Sequence, residues 1–153
     1  MNVEQILTTV YATQFAQGLF GMADYNDGQG VVIEFWNVPN IQQPTHEQIL
    51  AMDTPQLEQQ YLFLQTYNQF VPLLSAYIDS VAQQKQYGNA ASCATYINST
   101  NSQWKNEATA FIAWRDSVYI YAIAQYNLME SGQRSIPTFA QFEAELPLIV
   151  WPD

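Results

Sequence analysis

The chain is 153 residues and 17.5 kDa, with four basic and fourteen acidic side chains, a net charge of -10 and a pI near 4.1. That length has room for one domain and hardly two. The acidic balance argues against sequence-independent nucleic-acid binding, which needs cations to displace counterions, and against docking on an anionic membrane. A single cysteine and a single histidine exclude a disulfide framework, multi-cysteine zinc sites and His-pair metal motifs.

Only 12% of the residues are charged, about half the roughly 25% of ordinary soluble domains. The polarity is carried instead by amides, 19 Gln and 10 Asn. An amide surface is wettable but costs less to desolvate than one of Lys and Glu, which suits a permanently assembled protein. Compositional drift of the parent genome gives the same numbers. The N-terminus has no basic region followed by an apolar run, so no secretory signal is expected, and no apolar stretch reaches the length of a membrane span.

In chain order, Val3, Ile6, Leu7, Val10, Tyr11, Phe15 and Leu19 follow helical spacing over residues 3–20, with Asn2 as N-cap and Gly18 and Gly21 at the end. Thr8, Thr9 and Val10 oppose that helix, because β-branched side chains lose rotamer freedom in it. Residues 24–30 read as a turn. Val31–Trp36 is β-branched and aromatic and reads as a strand, with residues 20–25 as a hairpin partner or another chain in that place. A linker carrying Pro39 and Pro44 follows.

Thr45 starts a short helix, and Thr54-Pro55 starts a longer one that Pro72 should kink or break near Asn68. Helical spacing resumes to about Gln86, with Gly88 as terminator. A short helix near 90–97 comes next. The longest helix is predicted over 102–130, closed by Gly132. Thr138 caps a last helix to Glu145, and an apolar tail runs to Pro152. The pattern predicts a mainly α fold with a small β element near 20–36. Residues 1–36 form an N-terminal helix and strand suited to assembly, and 45–153 form a helical domain.

Chemistry-bearing clusters are few. His46-Glu47 has Ile49 and Leu50 where a metal site would need ligands, so it reads as a helix start. Cys93 reads as a small buried side chain. Glu143 and Glu145 face different ways on a helix and make no acid/base pair. Asp24, Asn26 and Asp27 resemble a calcium loop, but Phe35 stands where its last glutamate belongs. Gly28-Gln29-Gly30 precedes a strand, the wrong context for phosphate. No catalytic residue, metal ligand or cofactor site is expected.

Trp114-Arg115-Asp116, inside an aromatic-rich helix, is the most distinctive local feature. Arg115 is expected to form a charge-assisted bond within the chain, either pinning the long helix to the C-terminal segment or marking a docking point. Trp104, Phe111, Val118, Tyr119 and Tyr126 are expected to be buried on the stripe of that helix. Trp104, Phe111, Trp114, Arg115, Asp116 and Tyr119 are therefore the candidate structural or docking residues. Val31, Val32, Ile33, Phe35 and Trp36 are the candidate interface, because one helix and one strand carry more apolar surface than a hairpin covers.

The stretch Gln103–Tyr119, with Ala113-Trp114-Arg115-Asp116 at its centre, resembles a segment of tailed-bacteriophage tail-region proteins. Gly132-Gln133-Arg134, Pro137-Thr138, Glu145-Leu146-Pro147 and Val150-Trp151-Pro152 continue the resemblance over 87–153. Trp36-Asn37-Val38-Pro39 and Gln43-Pro44-Thr45 extend it more loosely upstream. The resemblance implies a non-enzymatic structural component of a phage tail, baseplate or tail fibre. Its expected location is the virion, and its partners are other tail proteins or further copies of itself. A fibre-assembly chaperone that leaves the particle is the alternative, and a virion-associated hydrolase a third, disfavoured by the lack of paired catalytic groups.

Overall fold

The computed structural model describes residues 1–25 and 30–152. It is mainly helical with one two-stranded antiparallel sheet. The chain divides into two compact units, Met1–Leu62 and Phe63–Asp153, where its length alone suggested one domain. Residues 45–62 belong with the N-terminal half and not with the helical body as the sequence suggested. The reason is packing: Ile49 and Leu57 are buried in one cluster with Ile6, Leu7, Phe20 and Val38.

The first unit begins with α1, Val3–Val10, and α2, Ala12–Ala16. Asn2 caps α1 through a reciprocal pair: its side chain accepts from Gln5 N at 2.8 Å, and Gln5 Oε1 accepts from Asn2 N at 2.9 Å. The single helix expected over 3–20 breaks at Tyr11, whose backbone sits at φ -114° and ψ 37°. The Thr8 and Thr9 hydroxyls donate back to the Glu4 and Gln5 carbonyls just before the break, which loosens that turn. Tyr11 then lays its ring edge-on to Trp36, 5.1 Å between centroids. Gly18 takes the left-handed conformation, φ 67°, that closes α2.

The hairpin pairs β1, Phe20–Asp24, with β2, Val31–Trp36. Residues 26–29, most of the expected turn and of the calcium-loop candidate, lie outside the described residues. A bulge between Gly21 and Met22 shifts the register, so that Gly21 faces Phe35 while Met22 faces Ile33. Gly21 lies inside the strand and does not end a helix. The Phe35 ring lies over it, and a Cβ at residue 21 would fall 2.4 Å from Phe35 Cε1. Helix α3, His46–Ala51, starts at Thr45 with a second reciprocal cap through Gln48.

Helix α4, Pro55–Gln83, starts in the first unit and continues in the second. Where a kink or break was expected near Asn68, the helix is not broken and continues through Pro72, giving up the one hydrogen bond that proline cannot donate to Asn68. Gln86, at φ 65°, terminates it in place of Gly88. Tyr87 N reaches Ala82 O at 3.3 Å and Gln86 N reaches Gln83 O at 2.9 Å, the paired bonds of a left-handed helix end.

The second unit adds α5, Ala90–Thr95, a 3-10 turn at Tyr96–Asn98, α6, Ser102–Glu130, and α7, Phe139–Ala144. Asn101 caps α6 by accepting from Gln103 N and Trp104 N, and Gly132, φ 70°, closes it. Ala108, Phe111, Val118, Ala122 and Met129 form its buried stripe. Phe111, Val118, Ala122 and Met129 pack with Phe70, Leu74 and Ile78 of α4 and Phe142 of α7. Among the described residues, no helix is long and apolar enough to cross a membrane.

Candidate functional site

The six candidate docking residues do not form one surface. Phe111 and Trp114 point into the core, Phe111 stacked on Trp151 at 6.1 Å and 5.5 Å from Trp114. Tyr119 and Trp104 are exposed, against the expectation that both are buried. Tyr119 lies about 80° round the helix from Phe111 at 100° per residue, beside the buried stripe. Trp104 has the right azimuth, but in the first turn of α6 the stripe runs out of core. Among the described residues its one ring contact is with Tyr96, T-shaped, at 5.6 Å. Val118 and Tyr126 are buried as expected.

Arg115 does bond within the chain, but to the adjacent Asp116, with Nη2 at 2.8 Å and Nε at 3.1 Å from Oδ1. An exposed pair of sequence neighbours pins nothing. Trp114 Nε1 instead donates to Pro147 O at 2.7 Å, fastening α6 to the segment after α7. A second fastening is Arg134 Nη2, which holds both oxygens of Glu145 at 2.7 and 2.8 Å. Tyr121 donates to the same carboxylate, and Arg134 also reaches Gln125. The Tyr121 hydroxyl and the Arg134 guanidinium hold Glu145 below the usual carboxylate range.

On β2, Val31, Ile33 and Trp36 are half-buried while Val32 and Phe35 are exposed. Trp36 packs on Phe20 at 5.0 Å and donates from Nε1 to Ile41 O at 2.8 Å. Three of the five candidate interface residues are thus partly covered by their own unit.

A polar site that the sequence reading missed surrounds Glu107. This carboxylate is only 4% exposed. Tyr87 OH donates to one oxygen at 2.7 Å, and Gln103 Nε2 donates to the other at 3.2 Å, with Lys85 Nζ at 3.5 Å. Burial pushes the carboxyl upward, but the Tyr87, Gln103 and Lys85 donors outweigh it and hold Glu107 below the usual range. Burial and the Glu107 bond push the Tyr87 phenol strongly up. Cys93 is fully buried and pushed up to about 11 by burial and by the Glu107 charge, so it stays a thiol. An open cleft of about 430 Å³ lies over this network, bordered by Gln86, Tyr96, Gln103 and Trp104. Among the described residues, Glu107 is the one carboxylate in its lining. The site has a fixed, ionised acceptor and, among the described residues, no second acid to share a proton with. The Gln103 and Glu107 pair at i and i+4 was the sequence signal, hidden because Tyr87 and Lys85 come from another helix end.

A second feature is an apolar groove of about 660 Å³ between α4 and α6 of the second unit. Leu74, Ala122 and Tyr126 lie in it, and Tyr67, Val71 and Ile123 are exposed along it. Tyr126 stacks on Phe142 at 5.6 Å, and its buried hydroxyl has no hydrogen-bond partner among the described residues. Burial, with Tyr67 and Tyr119 adding, pushes that phenol up to about 12.

Among the described residues, no group of three His, Cys, Asp or Glu side chains is placed to hold a metal, and His46 is exposed at the start of α3. No protein-family model, curated protein or solved structure matches the chain.

Proposed function

We propose that the protein is a non-enzymatic assembly component acting through protein–protein contacts in a bacteriophage tail, baseplate or tail fibre. The observation that carries the contact role is the outer ridge of α6. Ile120 is 71% exposed and Ile123 58%, beside the apolar groove. Two isoleucines held out on a rigid 29-residue helix leave apolar surface that a partner can cover. Fully burying each is worth about 1.5–3 kcal/mol. The low charge of the chain lowers the desolvation cost of such a contact. The phage setting rests on the resemblance around Ala113–Asp116 and its downstream continuation.

The test is quantitative mass spectrometry of tailed particles purified from the source of this chain, with wild type and Ile120→Glu/Ile123→Glu compared. A structural component is present at fixed copy number, and the double variant is depleted from particles while remaining folded. Presence during assembly but absence from finished particles assigns the chaperone role. Normal incorporation of the double variant removes the ridge as the contact.

A further inference from the structure

The Glu107 cleft carries a ligand reading independent of the assembly role. Trp104 is 47% exposed at its mouth, although it lies on the azimuth of the buried stripe. The ring is not loose. Tyr96 abuts it edge-on at 79°, Tyr87 packs against Tyr96 at 5.3 Å, and Tyr87 is anchored on buried Glu107 at 2.7 Å. An indole held in place and about half exposed can serve as a stacking platform.

Around it stand amides. Gln84, Gln86 and Gln103 line the same cleft, and each amide offers donors and an acceptor, the match for a hydroxyl that also does both. The two charges cancel, since Lys85 pairs with Glu107 at 3.5 Å. A charged ligand therefore gains nothing there. Gln86 adds a separate sign. It holds φ 65° at the helix end where glycine is the unstrained choice, and so places a side chain at the cleft. The volume, about 430 Å³, is within the range of small-ligand sites.

We infer that this cleft binds a neutral sugar, one pyranose ring stacked by its C–H face on Trp104 and hydrogen-bonded through its hydroxyls by Gln86, Gln103 and Lys85. A nucleobase would also stack on the indole. It offers fewer hydroxyl-like groups to three amides, and the acidic chain repels the phosphates that nucleotides carry.

The full chain is titrated with maltotriose, cellotriose and chitotriose, and with adenosine as the competing class, by calorimetry and by the indole N–H resonances in NMR. Hits are extended on an array of neutral glycans. One neutral glycan class is expected to bind with millimolar or tighter affinity and to shift the Trp104 indole resonance. Trp104→Ala should weaken binding at least tenfold with the circular dichroism spectrum unchanged. Gln86→Gly should weaken binding severalfold without lowering the melting temperature, which separates ligand contact from folding even if Trp104→Ala is impaired. Absence of binding to every neutral glycan overturns the inference. So does binding that Trp104→Ala and Gln86→Gly both leave intact, or binding of adenosine alone. Ile120→Glu/Ile123→Glu should leave sugar binding unchanged, so this test and the assembly test fail separately.

Discussion

Replacing Glu107 by Gln keeps the shape of the side chain and removes its charge. The amide oxygen can still accept from Tyr87, so no buried hydroxyl is orphaned. What is lost is the charge assistance on the Tyr87 bond, at 2.7 Å, the acceptor for Gln103 Nε2, at 3.2 Å, which an NH2 group replaces, and the attraction of Lys85. A hydrogen bond to a charged group contributes about 1.5–3 kcal/mol against about 0.5–1.5 for a neutral one. Lys85 is a third exposed, so solvent screening leaves its share below about 1 kcal/mol. Some of the gain is offset by the cost of keeping the carboxylate buried. Glu107→Gln should therefore destabilise by about 1–2 kcal/mol at pH 7 in urea titration. The pH dependence gives the sharper check. The folded protein holds the Glu107 pKa below its unfolded value, near 4.3. The contribution is then complete above the unfolded value and lost as pH falls through the folded one. The stability gap between wild type and Glu107→Gln should be level from pH 5 to 8 and shrink below about pH 4. A gap under about 0.3 kcal/mol at pH 7, or one that persists unchanged at pH 3, refutes the account of the network.

Phe111 is fully buried and stacked on Trp151, so Phe111→Ala should cost about 3–5 kcal/mol in denaturant titration. Trp114→Phe keeps most of the ring volume but loses the donor to Pro147 O, and should cost about 1–2 kcal/mol by the same assay. Gly21→Ala places a methyl against the Phe35 ring and should cost about 1 kcal/mol in thermal denaturation. The double variant with Phe35→Ala should recover part of that loss, because the two residues share one contact.

The elements of the second unit were legible because their signals are local. Asn101 as cap, the 3-and-4 spacing from Ala108 to Met129 and Gly132 as stop place α6 over Ser102–Glu130, the range expected. Val31–Trp36 and its hairpin partner were legible for the same reason. The misreadings come from what a helical stripe does not encode. Periodicity places Trp104 on the inner face but does not say that the body ends before it. A run such as Trp114-Arg115-Asp116 does not say which carboxylate the Arg takes, and the adjacent Asp116 took it. The fastening to the C-terminal segment fell to Trp114 and to Arg134, which meets Glu145 from eleven residues away. The Glu107 network is the extreme case. Its acceptor, donors and aromatic support come from the end of α4, the 3-10 turn and the start of α6, and no short motif holds all three.

Trp104 and Ile120 are sixteen positions apart on α6, roughly 24 Å along its axis at about 1.5 Å per residue. That distance exceeds the Debye length at physiological salt, about 8 Å, and the range over which substitutions couple, about 7–10 Å. One helix thus carries a polar, aromatic cleft at its N-terminal end and an apolar ridge towards its C-terminal end. The buried stripe of Ala108, Phe111, Val118 and Ala122 lies on its inner side. Removing the ridge should leave the cleft unperturbed, and blocking the cleft should leave the ridge able to dock. A protein whose partner covered both would instead lose partner binding to Trp104→Ala and to Ile120→Glu alike, with the two losses adding in a double variant because the sites are too far apart to couple. Measuring partner incorporation for the two single variants and the double variant therefore decides whether α6 serves one contact or two.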